Sequence, residues 1–390
     1  MKRFLAGLFA AVLLAAPAIT PAWAQARDAK PRWAHLASDI APDPAITFGS
    51  LPNGMRYALM ENQLPPGAVS IRFSFDFGSL NEAENEKGLA HFIEHMAFNG
   101  SRNVPEGEMV KKLERLGLAF GAHTNASTSQ KFTTYMLELP NASDTLVDES
   151  LFLMRELASE LTFNADAIDR ERGVVLAEWR RGDNFQRRRS DQQLAFLLPG
   201  AYAPTRMPIG DPKVLETVNR DTMVSLYDRF YRPERATIVI VGDFDVAAME
   251  RKVRERFGDW QGRGEAGKDP DLAYEIPDRP SAASVFTHGD GGDSISVYSL
   301  MPFREEPDTA AQRRADNLLM FAIAALSRRL APLANSEDPP YRSAGLSTGD
   351  MLETVRIAGG SVTVTPESWK PGLQTLEQEW RRALLHGFTQ

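Results

Sequence analysis

A strict alternation of apolar and polar residues over positions 69–77 constrains the fold of this chain most strongly. The apolar positions share one face of an extended segment, and they are Val69, Ile71, Phe73, Phe75 and Phe77. Because successive side chains of a strand point to opposite faces, this pattern predicts a β-strand that is covered on one side only. After Gly78 the period becomes helical over residues 88–98. The chain therefore has to pack helices against a sheet.

The rest of the first 260 residues repeats this mixture of strands and helices. Asn53-Gly54 lies between two short apolar runs, 46–51 and 55–59, and predicts a hairpin because Gly allows the positive φ of a tight turn. Further strands are predicted at 133–139 and 236–241, and helices at 105–116, 143–161, 165–181, 219–230 and 246–257. The arginine run 187–189 is predicted to lie in a solvated turn. Since strands and helices do not alternate strictly, the pattern favours an α+β fold of sheet-and-helix sandwich domains.

A change of composition suggests a second domain. Residues 261–280 are rich in Gly, Pro, Asp and Lys and are predicted to form a linker. After them the pattern starts again, with predicted strands at 283–287 and 295–300, a strand pair at 355–364 broken at Gly359-Gly360, and helices at 309–330 and 371–385. The predicted organisation is a leader at 25–45, a first domain at 46–260, the linker, and a second, similarly folded but incomplete domain at 281–390.

The first 24 residues have the pattern of a secretory signal. A basic start precedes an apolar run at 4–16, and Ala22-Trp23-Ala24 offers a small-residue cleavage site. The apolar run is too short to span a bilayer, and Pro17 and Pro21 interrupt any longer helix. An uncleaved anchor is the alternative. We expect an exported protein, periplasmic if the source is Gram-negative, with no membrane span after signal removal.

Charge and cysteine content exclude several classes of function. The chain has 44 Lys and Arg against 52 Asp and Glu, a formal net charge of −8, so nucleic acid is not an expected partner. Cysteine is absent, which removes disulfides, thiolate metal sites and cysteine nucleophiles. Any metal has to be bound by His and carboxylate side chains.

The segment His91-Phe92-Ile93-Glu94-His95 lies inside a predicted helix. Positions i, i+3 and i+4 share one helix face, so His91, Glu94 and His95 project towards one point. Two imidazoles beside a carboxylate in this order form the inverted motif of metallopeptidases. The alternative is a helix whose histidines only cap or pack.

A catalytic zinc site needs three protein ligands and one open position. Candidates for the third ligand are Glu171 and Glu178, which are two turns apart on one face of the predicted helix 165–181. The spacing does not choose between them. Without the histidine motif, the spacing favours a solvated face that pairs with Arg172 or Arg181.

Two runs, 88–100 and 171–178, together resemble the pitrilysin family of inverted-motif zinc peptidases, which includes insulin-degrading enzyme and mitochondrial processing peptidase. The resemblance covers about residues 46–390 and is strongest in the first domain. Three further stretches carry it: residues 125–129 with Tyr135, residues 208–210, and residues 230–233 leading to 241–243. One departure is Gln130-Lys131, where the family commonly has an aromatic and then an acidic residue.

The resemblance implies roles for seven residues. His91, His95 and Glu178 match the zinc ligands, Glu94 matches the general base, and Glu171 matches a carboxylate that holds a ligand in place. Asn125 and Ala126 match the edge strand along which a peptide is bound as an added strand.

The expected function is that of a zinc metalloendopeptidase acting on short or unfolded peptides, with Zn²⁺ as cofactor. The alternative is a catalytically silent subunit that keeps the fold for peptide capture. The resemblance also implies a second homologous half or subunit that closes the active site. We therefore expect the 390-residue chain alone to bind zinc and to cleave slowly.

Overall fold

A computed structural model describes residues 33–119, 121–278, 281–289 and 291–388. The predicted signal at 1–24 and the first part of the predicted leader lie outside the described residues. The strands are β1 Ile46–Ser50, β2 Arg56–Glu61, β3 Val69–Phe75, β4 Thr124–Thr128, β5 Thr133–Leu139, β6 Ala236–Gly242, β7 Ser294–Pro302, β8 Ser343–Met351 and β9 Val355–Thr363. The α-helices are α1 Leu89–Met96, α2 Glu108–Arg115, α3 Asp144–Ser159, α4 Ala165–Gly182, α5 Phe185–Leu197, α6 Pro212–Thr217, α7 Arg220–Phe230, α8 Val246–Phe257, α9 Ala310–Leu330 and α10 Trp369–His386.

The first six strands form one sheet in the order β1-β2-β6-β3-β5-β4. β1 and β2 form the predicted antiparallel hairpin, β2 and β6 are parallel, and the remaining pairs are antiparallel. The alternation predicted for β3 is confirmed, since its apolar positions are buried and the residues between them are half-buried. β4 lies at one edge of the sheet, with β5 as its strand neighbour.

The apolar face of this sheet carries the main core. Phe73 packs against Phe257 at the end of α8, and Phe75 packs against Tyr231 just after α7. α1 packs against β4, β5, α4 and α7, and is buried on nearly every side. The histidine motif is therefore held on a helix that the core surrounds.

β7, β9 and β8 form a second, antiparallel sheet, which packs with α9 and α10. Two predictions for this region are wrong. Residues 283–287 do not form a strand, and β9 runs unbroken through Gly359 and Gly360. A Cβ on Gly359 would lie 2.5 Å from the carbonyl oxygen of Val297 on β7, so this glycine allows a close approach of the neighbouring backbone and does not end the strand.

Smaller differences concern helix limits. The helix predicted from Pro105 begins at Glu108 after a turn, and the arginines at 187–189 lie inside α5 instead of in a turn. The guanidinium of Arg187 on α5 stacks on Trp179 of α4, 4.7 Å from the ring centroid. This contact stabilises α5, which has little apolar periodicity. Residues 261–278 contain no helix or strand.

One helix among the described residues, Ala310–Asn335, is long and apolar enough to cross a membrane by length and composition alone. This differs from the expectation of no membrane span after signal removal. The difference arises because the charges of this region cluster at its ends and leave 315–327 with Asp316 alone. Leu326 and Leu330 at the C-terminal end of α9 are buried in the core of the second sheet, whereas most of the helix is exposed.

Candidate metal centre

The start of α1 is fixed by a buried carboxylate and by two glycines in contact. Glu82 accepts hydrogen bonds from the backbone N–H groups of Gly88 (2.9 Å) and Ala90 (2.8 Å), which are free donors at a helix N-terminus. Gly88 and Gly210 both have positive φ, and a Cβ on Gly210 would lie 2.3 Å from Cα of Gly88. The stretch 208–210 thus closes onto the start of the histidine helix.

Three side chains, two from α1 and one from α4, converge at one point. Nε2 of His91 and Nε2 of His95 are 3.1 Å apart, and Oε2 of Glu178 on α4 lies 3.6 Å from the first and 3.5 Å from the second. One ligand atom from each residue lies within 4.8 Å of the others. The histidine side chains are 17% and 16% exposed and that of Glu178 is 34% exposed, so the site is reached from one side.

This arrangement fits a tetrahedral zinc ion. Ligand atoms about 2.0–2.2 Å from a tetrahedral metal lie about 3.3–3.6 Å from one another. The three observed separations, 3.1, 3.5 and 3.6 Å, are close to that range. Two nitrogen donors and one carboxylate also leave the fourth position open, as catalytic zinc sites require.

Glu171 contacts the other side of His95. Nδ1 of His95 lies 2.8 Å from Oε1 of Glu171, and Nδ2 of Asn99 donates to Oε2 of the same carboxylate at 3.1 Å. Hydrogen bonding to His95 holds the pKa of Glu171 below its ordinary value, so the carboxylate accepts and Nδ1 of His95 donates. In neutral His95 this places the lone pair on Nε2, which is the nitrogen on the side of Glu178.

The two histidines differ in their electrostatic environment. Burial and the neighbouring His95 lower the pKa of His91 to about 4. Burial also acts to lower the pKa of His95, but the Glu171 hydrogen bond and the charges of Glu178 and Glu94 outweigh it and raise that pKa. Nδ1 of His91 is buried and has no hydrogen-bond partner in the part of the chain that the structure describes. The Nε2 atoms of His91 and His95 face each other at 3.1 Å. Because two lone pairs at this distance repel each other, a proton or a cation has to lie between them.

Glu94 projects from the same helix and is 9% exposed. Burial raises the pKa of Glu94, and a hydrogen bond from the Thr128 hydroxyl, 2.7 Å from Oε2, partly opposes that rise. The repulsive charge of Glu178 acts in the same direction as burial. A carboxylate with a raised pKa beside a metal position is suited to accept and return a proton.

The predicted peptide-binding residues lie on the edge strand β4. The backbone N–H of Ala126 donates to the side-chain Oδ1 of Asn125 at 2.9 Å. That N–H is therefore not used in pairing with β5 and faces the open edge of the sheet. Because α1 packs against β4, an added strand at this edge would pass beside the histidine motif.

Three residues that contact the site were not predicted as site residues: Asn99, Thr128 and Glu82. Asn99 lies three residues after the end of α1, and its side chain also donates to the carbonyl oxygen of His95 at 3.0 Å. Its contact with Glu171 depends on the turn that follows the helix. Thr128 and Glu82 reach their partners only through the tertiary fold. Gln130 and Lys131, where the chain departs from the family pattern, bond to the carbonyls of Ala203 and Arg206 and to the carboxylate of Glu353, away from the metal position.

The fold, together with a site of two histidines and one glutamate, is that of a metallopeptidase. The sequence matches the insulinase domain of peptidase family M16 over residues 57–195. It also matches the inactive domain of the same peptidase family over residues 217–390. The chain belongs to peptidase family M16.

Similar proteins are named zinc proteases. The probable zinc protease PqqL of Haemophilus influenzae is 34% identical over 213 residues, which is 55% of this chain and 23% of that protein. The zinc protease PQQL-like protein of Arabidopsis thaliana is 27% identical over 329 residues, 84% of this chain and 34% of that protein. The matched region is thus about a quarter to a third of the length of these relatives.

Solved structures show the same fold. The first half of the periplasmic protease PqqL from Escherichia coli superimposes with a TM-score of 0.80 at 24% identity, covering 90% of this chain and 75% of that one. The superposition on the structure of PqqL itself covers 39% of that chain. The predicted mixed architecture of sheets and helices of the pitrilysin type is confirmed by these likenesses.

Proposed function

We propose that this chain is the catalytic part of an exported zinc endopeptidase that hydrolyses short or unfolded peptides. The observation that carries the proposal is the convergence of His91, His95 and Glu178 at distances that suit one tetrahedral ion. The names of the relatives point to zinc as that ion. In this proposal the first domain is residues 46–260 and the second begins after the linker at 261–280.

When bound, zinc lowers the pKa of a coordinated water to about 7 and polarises a substrate carbonyl. Glu94 takes the proton from the attacking water and delivers it to the leaving amine. Its burial supports this role, because a base whose pKa is raised towards the working pH transfers a proton in both directions more readily. Glu171 keeps His95 in the tautomer and orientation that a ligand needs.

The peptide binds as an added strand along β4. In the free protein, the hydrogen bond from the N–H of Ala126 to Oδ1 of Asn125 protects this edge of the sheet. A carbonyl oxygen of the incoming peptide takes the place of Oδ1 and accepts from the same N–H. Backbone pairing of this kind recognises an extended chain and not a particular side chain. A preference for short or unfolded peptides follows from it.

Export and a second half are also part of the proposal. The Escherichia coli protein with the same fold is a periplasmic protease, and residues 1–24 have the pattern of a secretory signal. The matched regions make up only 23% and 34% of the length of these relatives, which supports a second half or subunit that closes over the peptide.

The test compares the wild-type chain with Glu94→Gln in zinc content and in hydrolysis of a quenched fluorescent peptide. We expect both proteins to hold about one zinc ion per chain. Turnover should fall by about a hundredfold to ten-thousandfold in Glu94→Gln, because only the proton transfer is removed. Glu114→Gln, at an exposed position of α2, is the matched control and should cleave at the wild-type rate.

Because the chain alone is expected to be slow, the assay uses excess enzyme and long incubation, with Glu94→Gln prepared identically to measure contaminating peptidases. A wild-type rate equal to that of Glu94→Gln would contradict the proposal. It would favour the catalytically silent subunit, which captures peptides without cleaving them.

A further inference from the structure

Thr128 is the last residue of the edge strand β4, and its side chain is on the face of that strand that α1 covers. It pairs with Thr133 on β5. Along β4 the residues with the lower exposure are Thr124, Ala126 and Thr128, while Asn125 and Ser127 are exposed. Thr128 is therefore held between the position proposed for the peptide and the helix that carries Glu94.

The direction of the hydrogen bond between Thr128 and Glu94 follows from the donors available. Thr133 uses its single hydroxyl proton on the carbonyl oxygen of Phe77 at 3.0 Å. The two threonine hydroxyls are 3.5 Å apart, longer than a normal hydroxyl hydrogen bond. Oε2 of Glu94 is 2.7 Å from the Thr128 hydroxyl, and an ionised carboxylate only accepts. Thr128 thus donates its proton to Glu94.

This bond assigns different tasks to the two oxygens of Glu94. Oε2 is occupied by Thr128, and no hydrogen bond from the described residues reaches Oε1. A glutamate side chain has three rotatable bonds, and fixing one oxygen removes most of its alternative orientations. The remaining oxygen, Oε1, is then held in one orientation and is free to meet another partner.

We infer that Thr128 is a positioning residue, whose hydroxyl aims the carboxylate of Glu94 at the attacking water. The inference rests on the proposed function, because it assumes that Glu94 is the general base. It connects the proposed peptide-binding strand to the base, since the donor belongs to the same strand as Asn125 and Ala126. A hydrogen bond that only stabilises the fold would give a different result when it is removed.

The experiment compares Thr128→Val, which keeps the shape and removes the donor, with Thr128→Ser, which keeps the donor. Thr124→Val is the matched control, because Thr124 is on the same strand and face and its buried hydroxyl has no hydrogen-bond partner among the described residues. For each variant of the full chain we measure kcat, KM, zinc content and the thermal unfolding midpoint. Thr128→Ala replaces Thr128→Val if the latter does not fold.

We expect Thr128→Val to lower kcat by about tenfold to a hundredfold, with KM changed by less than about twofold and zinc retained. Thr128→Ser should recover most of the loss, and Thr124→Val should match the wild type. The inference is overturned if Thr128→Val keeps the wild-type kcat, if Thr128→Ser is as slow as Thr128→Val, or if the loss of kcat parallels a loss of zinc. A wild type no faster than Glu94→Gln would instead refute the proposed function, and this inference with it.

Discussion

The two glutamates of α4 illustrate how much depends on single atoms. Glu171 and Glu178 lie on one face of the helix, and their spacing alone does not determine which of them is the third ligand. In the structure, Glu178 faces Nε2 of both histidines, while Glu171 is bonded to Nδ1 of His95. A carboxylate at Nδ1 cannot share an ion bound on the Nε2 side, so in the proposed site only Glu178 is the third ligand.

Replacing Glu171 by Ala should weaken zinc binding by about tenfold to a hundredfold. The change removes the acceptor that fixes the tautomer of His95 and leaves Asn99 without its carboxylate partner. Zinc affinity is measured by competition with a chelator of known affinity. Asp169→Ala is the control, because this carboxylate is on the same helix and is 76% exposed. An unchanged affinity in Glu171→Ala would show that His95 is oriented without it.

At the scale of elements, α1 depends on the carboxylate at its N-terminus. Burial raises the pKa of Glu82 to about 8, and the backbone hydrogen bonds from Ala90 and Gly88 oppose only part of that rise. An unfolded chain loses this proton near the ordinary value of 4.5. Between these two values the unfolded state binds fewer protons than the folded state, so the free energy of unfolding falls as the pH rises.

The prediction is that wild type and Glu82→Gln differ in the pH dependence of stability. The wild-type free energy of unfolding should fall more steeply between about pH 5 and about pH 8, by up to about 1 kcal/mol per pH unit. Urea unfolding of both proteins in a chelating buffer measures it, and titrations common to both cancel in the difference. Parallel profiles would mean that Glu82 has the same pKa in the folded and unfolded states.

The open edge of β4 gives a second test at this scale. Ala126→Pro removes the N–H that faces the edge, and proline is tolerated there because no ladder bond is lost. Peptide KM should rise by about threefold to tenfold, the effect of one hydrogen bond, with little change in stability. Ser127→Pro, one residue on, removes an N–H that faces β5 and should instead lower the free energy of unfolding. Equal KM values for Ala126→Pro and the wild type would place the peptide elsewhere.

Elements with a clear period were predictable, and elements shaped by their neighbours were not. β3 and β5 alternate so regularly that their positions follow from the sequence alone. β8, Ser343–Met351, has two glycines and little alternation, and its pairing with β9 holds it in place. The histidine motif is local to one helix turn and was predictable, whereas Thr128 meets Glu94 across 34 positions of sequence.

In the whole molecule, the two sheets meet at the strand ends. Lys131 after β4 forms an ion pair with Glu353 between β8 and β9, at 2.7 Å. Their side chains are 51% and 40% exposed, so this pair contributes about 1 kcal/mol or less. Leu197 at the end of α5 and Val355 of β9 also belong to one cluster of buried apolar side chains. The domain limits at residues 260 and 281 stay predictions.

The central claim is that α1 and α4 hold one metal ion between them, and anomalous X-ray diffraction at the zinc absorption edge tests it most directly. In crystals of the zinc-loaded chain we predict a single strong peak about 2.0–2.2 Å from Nε2 of His91, Nε2 of His95 and a carboxylate oxygen of Glu178. No peak at that position, or a peak whose ligands do not include Glu178, would contradict the account.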